Sequence, residues 1–322
     1  MDVGGTKLLI GEMDGEGKLL RSKRYPSGYP DQAAATAGIV AALENYIGDV
    51  GFAGEPVALG LGIVGVVDSR HGIWVAMDHV RKQPVSLASK LACHSGLPVV
   101  IDNDVRCGTT AELLLGHGRE TRNFVYMNVG TGIAASTVTD GRIIRGANCN
   151  AGEIGHMVVS PELGIRCVCG RIGCVEPIAS GSGFTARIRA AHEAGVQTRI
   201  SPVQPGRGAD IIELFRLADE GDALARQLTD EAAEALARTV MNLVRVSDPD
   251  LFILGGGIVS DGWLLPKIME RLNKPTMRGV TRGVVLSRFD PELTGLIGAG
   301  AAAMSRYAER KDTCMPCHMD ET

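Results

Sequence analysis

The segment Asp2-Val3-Gly4-Gly5-Thr6-Lys7 opens the chain, and two further glycine-rich turns, Gly130-Thr131-Gly132 and Gly255-Gly256-Gly257, also follow apolar strand-like runs. Glycine lets backbone N–H groups turn towards an anion without a Cβ in the way. One such turn is common in proteins. Three in one chain, two of them with an adjacent threonine, indicate a nucleotide whose phosphates lie between two lobes. None has the GxxxxGK[ST] form, so the pattern excludes a P-loop enzyme.

The composition is that of an ordinary globular protein. The chain has 322 residues, of which 45% are hydrophobic and 22% charged, with a formal net charge of -4. This length suits one large or two medium domains. Lys and Arg are scattered, which argues against a nucleic-acid partner. Because no signal peptide and no apolar run of about 18 residues is visible, we expect a soluble cytoplasmic protein without a membrane segment.

Predicted strands alternate with predicted helices along most of the chain. The apolar patterns predict strands within residues 2–12, 57–67, 97–101, 124–129 and 251–254, and helices within residues 33–46, 112–115, 183–194, 209–218, 222–246 and 294–308. Such alternation predicts an α/β protein whose sheets are covered on both faces. Residues 143–183 lack regular periodicity, and an irregular stretch this long in a compact domain is usually functional.

A cysteine cluster lies inside this irregular stretch. Cys167, Cys169 and Cys174 fall within eight residues, and His156 precedes them. Three thiolates and one imidazole predict a closed tetrahedral Zn²⁺ site of the structural kind. The alternative is a set of buried free thiols, which rarely crowd so closely.

Three acidic positions are candidates for chemistry. Asp102-Asn103-Asp104 follows the strand that ends at Ile101, and ligand sites of α/β proteins lie at strand ends. Asp and Asn are equally favoured as helix N-caps, so this segment alone leaves both interpretations open. Taken as isolated residues, Glu153 and Glu176 would more often be solvated surface charges.

The glycine-rich turns resemble those of a known family. Residues 2–7 resemble the first phosphate motif of the ROK sugar kinases (repressors, open reading frames and kinases), residues 130–133 resemble the second, and residues 254–257 resemble the adenosine-site turn. The resemblance covers residues 2–183 and 251–303. It implies two RNase H-like lobes of the actin-like ATPase superfamily, with ATP and Mg²⁺ in the interlobe cleft. The nucleotide-site residues it implies are Asp2, which would hold Mg²⁺ through water, and Gly4, Gly5, Thr6, Lys7, Gly130, Thr131, Gly132, Gly255, Gly256 and Gly257.

The same resemblance assigns a sugar site. Asn103-Asp104 with the downstream Thr109, Ala111 and Glu112 looks like the family segment that supplies the catalytic base, here Asp104, and a sugar-binding Asn, here Asn103. Residues 153–156 match the ExGH segment, and Glu176 matches the Glu beyond the cysteines. Glu153, His156 and Glu176 would then bind sugar hydroxyls far from the reacting one, with the His156 ring oriented by the metal.

The identity of the sugar depends on two further segments. Residues 62–68 resemble the sugar-side loop of the family, with Gly65 lining the site and Val64 in place of the usual Pro. Where the family tends to carry an Asn near the sugar 3-position, this chain aligns Asp78 or His79. A carboxylate only accepts hydrogen bonds and attracts a cation, so Asp78 favours an amino-hexose such as kanosamine. Glucose is the second candidate, and N-acetylated hexosamines follow.

The resemblance also predicts the domain organisation. We expect a small lobe from residues 1–105 completed by a helix at 294–310, a large lobe at 106–293 with the zinc loop, a flexible tail at 311–322, and a homodimer. Two other classes stay open. A ROK-type regulator would need a helix-turn-helix domain, for which the turn at residue 2 leaves no room. A non-catalytic sugar-sensing protein stays possible because Ala134-Ala135-Ser136 replace further glycines of the second turn.

Overall fold

The computed structural model describes residues 1–5, 7–77 and 82–313, with the backbone alone for residues 82 and 309–313. The predictions for Thr6 and Asp78, and for the tail beyond Thr313, therefore lie outside the described residues. By their contacts the residues form two compact units. Unit 1 contains Met1–Gly116, Ala147–Cys149 and the chain from Leu293 onward, and unit 2 contains His117–Gly146 and Asn150–Glu292.

Strands and helices alternate as the patterns predict. The strands are β1 (Asp2–Val3), β2 (Lys7–Met13), β3 (Leu19–Pro26), β4 (Leu59–Ile63), β5 (Val66–Asp68), β6 (Ile73–Ala76), β7 (Lys82–Val85), β8 (Val99–Asn103), β9 (Phe124–Val129), β10 (Ile133–Thr139), β11 (Arg142–Ile143), β12 (Leu251–Gly255) and β13 (Val284–Leu286). The α-helices are α1 (Gln32–Asn45), α2 (Leu87–Ser95), α3 (Asp104–Leu115), α4 (Glu176–Ala179), α5 (Gly181–Glu193), α6 (Ile211–Asp219), α7 (Ala223–Ser247), α8 (Leu264–Glu270), α9 (Lys274–Met277) and α10 (Thr294–Thr313).

The main sheet of unit 1 has the strand order β3-β2-β1-β4-β8. Strands β1, β4 and β8 run parallel, and their register places Asp2 beside Gly62 and Gly62 beside Asp102. Parallel strands present their carboxyl ends at one edge of a sheet, where ligand sites of α/β folds lie. The turn after β1, the loop after β4 and the segment after β8 therefore meet at the same edge. A smaller antiparallel sheet, β5-β6-β7, follows β4 in the chain.

Helix α10 packs against α3 and β4 at very short range, because glycines remove the side chains from the contact. A Cβ built on Gly298 would lie 1.7 Å from the carbonyl oxygen of Cys107, and one built on Gly60 would lie 1.8 Å from that of Ala299. Both partners are backbone atoms, which cannot swing aside as a side chain can. The C-terminal helix is therefore fixed directly against the helix that carries Asp104.

We expect Gly298→Ala to destabilise unit 1, because α10 would have to move away from α3. Overpacking of this kind costs about 3 kcal/mol, which lowers Tm by about 4 °C in a chain of 322 residues. Thermal unfolding followed by circular dichroism measures the shift. Gly48→Ala is the control, since a Cβ there meets nothing within 4 Å. A Gly298→Ala protein as stable as wild type would contradict the close contact.

The sheet of unit 2 has the strand order β11-β10-β9-β12-β13. Strands β9 and β10 form a hairpin in which Val129 pairs with Ile133, and β12 runs parallel to β9 with Gly255 beside Asn128. This register brings the turn at 130–132 and the turn at 255–257 to one edge of the sheet. Helix α7 has 25 residues and buries an alanine-rich face in the core of the unit.

Among the helices of the described residues, none combines the length and the apolar character needed to cross a membrane.

Candidate active site

Asn103 caps the N-terminus of α3 and also contacts the loop after β4. Its Oδ1 accepts hydrogen bonds from the N–H groups of Val105 at 3.0 Å and Arg106 at 3.3 Å. Its Nδ2 donates to the carbonyl of Gly65 at 3.1 Å. These contacts to described residues use both lone pairs of Oδ1 and one of the two Nδ2 hydrogens. The capping interpretation is thus correct for the oxygen, and the second N–H is the group that Asn103 can present to a ligand.

Gly65 is required by the backbone at this point. Its φ is +97°, a region that favours glycine, and a Cβ would lie 2.2 Å from the carbonyl oxygen of Ala76. Only glycine therefore fits the backbone conformation in which the carbonyl of Gly65 accepts from Asn103. Gly65 and Asn103, both assigned to the sugar site from the sequence, lie together in the structure.

Asp104 and Asp2 form a pair of neighbouring carboxylates in unit 1. Asp104 is the first residue of α3, where the helix dipole stabilises negative charge. Burial and, to a smaller extent, the charge of Asp104 raise the pKa of Asp2 to about 6, against the opposing effects of the N-terminal ammonium and Lys7. Two carboxylates that repel each other at a strand edge suit a divalent cation with oxygen ligands, as Mg²⁺ requires.

Two glycines make room for the Asp2 carboxylate. A Cβ on Gly295 of α10 would lie 2.6 Å from Asp2 Oδ1, and a Cβ on Gly62 of β4 would lie 3.4 Å from it. The sequence analysis did not assign a role to Gly295, because it is 293 positions from Asp2 in the chain and no local pattern connects them.

Glu176 lies against the second glycine-rich turn of unit 2. Its Oε2 accepts from the backbone N–H of Ile133 at 3.0 Å. Built Cβ atoms on Gly132 and Gly155 would lie 2.8 Å and 3.0 Å from the same oxygen. Gly132 of the candidate phosphate turn and Gly155 of the ExGH segment therefore leave the space that this carboxylate occupies. The backbone of that turn is also fastened to the start of α5, because Gly181 N–H donates to Gly130 O at 2.9 Å.

We expect Gly155→Ala to displace Glu176, which the sequence analysis predicts to bind the sugar, because the added Cβ would lie 2.4 Å from the carbonyl of Ile133 and 3.0 Å from Glu176 Oε2. The KM for the sugar should rise about tenfold, while the KM for ATP changes by less than about threefold. Steady-state ADP release with each substrate varied in turn measures both constants, and Gly48→Ala again serves as the control. An unchanged KM for the sugar would show that the position of Glu176 does not matter for sugar binding.

The glycines of the other turns divide into two groups. Gly255 and Gly256 are needed for packing, since a Cβ would lie 2.4 Å from Tyr126 Oη or from the carbonyl of Val129. Gly5 and Gly257 are exposed, and a Cβ at either position meets nothing within 4 Å in the described part of the chain. At these two positions packing does not require glycine, whereas the approach of a ligand to the backbone would.

Three of the four predicted metal ligands come together in unit 2, and the fourth, Cys174, lies beside Cys169. The ligand atoms of His156, Cys167 and Cys169 all lie within 4.8 Å of one another. His156 Nδ1 is 3.3 Å from Cys167 Sγ, and Cys169 Sγ is 3.7 Å from Cys174 Sγ. A tetrahedron with Zn–S bonds of about 2.3 Å has S···S edges of about 3.8 Å. The donor set and its spacing therefore fit a structural Zn²⁺.

The three thiols differ in acidity. Backbone and side-chain hydrogen bonds from Arg171 lower the pKa of Cys169 to about 6. Burial and the neighbouring cysteines raise the pKa of Cys174 to about 12, and burial also raises that of Cys167. A metal cation would stabilise the thiolate form of all three, so metal binding should release protons.

Glu153 and His156 lie at the two ends of one short turn. Glu153 is exposed and precedes the 3-10 turn Ile154–His156, whose last residue is half-buried beside the cysteines.

Two other candidates for the nucleotide site take part in backbone hydrogen bonds. Thr131 is exposed and its carbonyl accepts from Ser182 N–H at 3.1 Å. Lys7 begins β2, and Gly4 N–H donates to its carbonyl at 2.9 Å.

One pair beside the candidate base was not given a role from the sequence. Arg106 Nε donates to Asp102 Oδ1 at 2.7 Å, and both side chains are buried. The sequence does contain a sign of this pair, because Asp102 and Arg106 are opposite charges four residues apart.

Comparison with known proteins identifies the family. The model of the ROK family matches residues 1–306. The glucokinase of Halalkalibacterium halodurans is 30% identical over 277 residues, covering 84% of this chain and 83% of the relative. An N-acetylmannosamine kinase of Vibrio vulnificus is 33% identical over 300 residues, covering 92% and 94%. The crystal structure of a ROK family glucokinase from Streptomyces griseus in complex with glucose and AMPPNP superposes with a TM-score of 0.75 at 27% identity, covering 94% and 98%.

The match over almost the whole chain confirms the resemblance that the glycine-rich turns and the ExGH segment indicated. The structural neighbours have the actin-like ATPase fold with two lobes, which confirms the predicted fold class. This chain belongs to the ROK family, among its glucokinase-like sugar kinases.

Proposed function

We propose that the protein is an ATP-dependent kinase that phosphorylates the 6-hydroxyl of a glucose-like hexose. The observation that carries this proposal is the placement of Asp104 at the start of α3, beside the carboxylate of Asp2. Phosphoryl transfer to an alcohol needs a group that orients the hydroxyl and accepts its proton. Asp104 would accept that proton, and the second Nδ2 hydrogen of Asn103 would bind a neighbouring sugar hydroxyl.

The nucleotide side of the reaction would use the open glycines. Backbone N–H groups around Gly5 and Gly257 would approach ATP, since both positions are exposed and unobstructed in the described residues. Asp2 would hold Mg²⁺ through water, and the cation would supply charge neutralisation on the phosphates. The solved glucokinase from Streptomyces griseus, which contains AMPPNP and glucose, supports this pair of ligands for a chain of similar fold.

The zinc ion would have a structural role. His156, Cys167, Cys169 and Cys174 would be its ligands, which leaves no open position for chemistry. His156 has two ring nitrogens, and Nδ1 is the one that faces Cys167. The other nitrogen would then face the sugar beside Glu153, so the ion would fix the tautomer and the orientation of the ring.

The preferred substrate would be an amino-hexose such as kanosamine. This finer proposal depends on Asp78, which lies outside the described residues, and on the attraction of a carboxylate for an ammonium group. Plain glucose is the second candidate, and the glucokinase named above favours it. Relatives also include an N-acetylmannosamine kinase, so N-acetylated hexosamines belong in the test. A cytoplasmic location and a homodimer stay predictions.

A sugar-sensing protein without kinase activity is the alternative class. The second turn continues with Ala134, Ala135 and Ser136 at the start of β10. Ala135 and Ser136 are buried, so only the partly exposed Ala134 could change the surface that a nucleotide would meet.

Coupled ADP release by zinc-replete protein with ATP and Mg²⁺ tests these proposals. The panel contains glucose, kanosamine, glucosamine, mannose and N-acetylmannosamine, and a reaction without sugar is the blank. Sugar-dependent ADP release would support the kinase, and the sugar with the highest kcat/KM would decide the substrate. Equal kcat/KM for glucose and kanosamine would remove the argument from Asp78. Sugar binding by calorimetry without any turnover would favour the sensor.

A further inference from the structure

Arg106 is a buried arginine two residues beyond the candidate base, and its guanidinium contacts three separate segments of unit 1. A buried charge of this kind is retained only when it is paired and its N–H groups are bonded. The residue is 4% exposed, and the Arg106 and Asp102 side chains are 5% and 6% exposed. Because the guanidinium is enclosed, it has little freedom to move and can hold its hydrogen-bond partners in position.

The first contact is with the segment that carries Asn103 and Asp104. Arg106 Nε donates to Asp102 Oδ1 at 2.7 Å, and the same oxygen accepts from the backbone N–H of Asn103 at 2.8 Å. Asp102 is the last buried side chain of β8, and Arg106 lies in the first turn of α3. The ion pair therefore closes a loop around Asn103 and Asp104 and fixes the angle between strand and helix.

The other contacts are with two backbone carbonyls. Arg106 Nη2 donates to Val67 O at 3.4 Å, in the strand that begins one residue after Gly65. Nη1 and Nη2 both donate to Cys149 O, at 3.2 and 3.3 Å. Cys149 has a φ of +56°, which is unfavourable for a residue with a Cβ. The paired donation thus holds a strained turn in place, four residues before Glu153.

We propose that Arg106 is a positioning residue for the sugar, which fixes Asn103, the Gly65 loop and the Cys149 turn relative to one another. This inference rests on the proposed kinase function and adds to it a determinant of sugar affinity. The role requires a guanidinium group. Its planar set of N–H groups can donate at the same time to Asp102, Val67 and Cys149, which lie in different directions. Lysine would keep the charge beside Asp102 and lose the simultaneous contacts with Val67 and Cys149.

Arg106→Lys is the main variant. The double variant Asp102→Asn with Arg106→Gln is the second, in case Arg106→Lys folds poorly, because it removes both charges of the buried pair and leaves neither unpaired. Arg271→Lys is the matched control, since Arg271 is a partly buried arginine of unit 2 whose partners Asp230 and the carbonyl of Lys267 are not candidate site residues. Calorimetry gives the Kd for the preferred sugar without ATP. ADP release gives kcat and the two KM values, and hydrogen exchange reports on the amides of residues 147–151.

We expect both Arg106 variants to raise the Kd and KM for the sugar by about tenfold or more, with kcat and the KM for ATP within about threefold of wild type. Amides at 147–151 should exchange faster, and Arg271→Lys should change none of these values. Faster exchange with an unchanged sugar Kd would overturn the proposal and leave a purely structural role. Unchanged exchange, or an equal fall in every kinetic constant, would also overturn it. Wild-type protein that binds no sugar would refute the proposed function itself, and this inference with it.

Discussion

Replacing Asp104 by Asn is expected to lower kcat for sugar-dependent ADP release by about 10²- to 10⁴-fold, the usual contribution of a general base. Asn has nearly the same shape, but its amide cannot accept the proton of the sugar hydroxyl. The KM for the sugar should change little, because the contacts of Asn103 and Gly65 do not involve Asp104. Steady-state kinetics at saturating ATP and Mg²⁺ measure both constants.

The variant also has a consequence for its neighbour. The charge of Asp104 raises the pKa of Asp2, so its removal should lower the pKa of Asp2 towards its usual range. A pH titration of wild-type and variant protein by NMR would follow that carboxyl. Asp31→Asn is the control for kinetics, since Asp31 caps the distant helix α1 and Asn caps equally well. A variant that kept more than about a tenth of the wild-type kcat would show that another group accepts the proton.

The sequence predicted those parts of the site whose residues are close together in the chain. The cysteine cluster and His156 span 19 positions, and their donor types alone indicate a metal. The glycine-rich turns could be assigned because they follow apolar runs, and parallel strands bring the ends of such runs to one edge. For the segment after β8, the structure confirms the capping interpretation, and the functional interpretation stays a prediction. Asn103 caps α3 through Oδ1 and still has an N–H group directed elsewhere.

Contacts over long sequence separations could not be predicted. Glu176 bonds to Ile133, 43 positions away, and Arg106 bonds to Cys149, also 43 positions away. The pattern of side chains along the sequence cannot show such a pair, because each bond joins a side chain to a backbone group, the N–H of Ile133 or the carbonyl of Cys149. Gly155 and Gly295 likewise look like ordinary turn and helix glycines until the carboxylates that they admit are seen.

Several elements were also missed in the sequence analysis. Strand β3 alternates between half-buried and exposed positions, a pattern hidden by its three basic residues. Charged residues are common on edge strands, where they discourage further pairing. Helix α2 buries only Leu87 and Leu91, one turn apart, which is too little apolar surface to stand out. Both elements depend on tertiary packing more than on their own pattern.

Removal of the proposed zinc is expected to weaken sugar binding and lower stability without involving the metal in chemistry. The ion would hold His156 and thus the turn that begins at Glu153, both candidates for contact with sugar hydroxyls. Loss of that constraint should raise the Kd for the sugar about tenfold or more, while ATP binding changes little. Since structural zinc contributes directly to folding free energy, Tm should fall by about 10 °C.

Cys169→Ser and Cys93→Ser make the matched pair for this experiment, because both cysteines are exposed and only Cys169 belongs to the cluster. Wild-type protein and Cys93→Ser should release one zinc per chain on denaturation in the presence of a colorimetric chelator. Cys169→Ser should release less, and should show the higher sugar Kd and the lower Tm even in excess zinc. A chelator-treated wild type should behave like Cys169→Ser and recover when zinc is restored. If metal-free protein bound sugar with wild-type affinity, His156 would not be a sugar contact, whatever the metal contributes to stability.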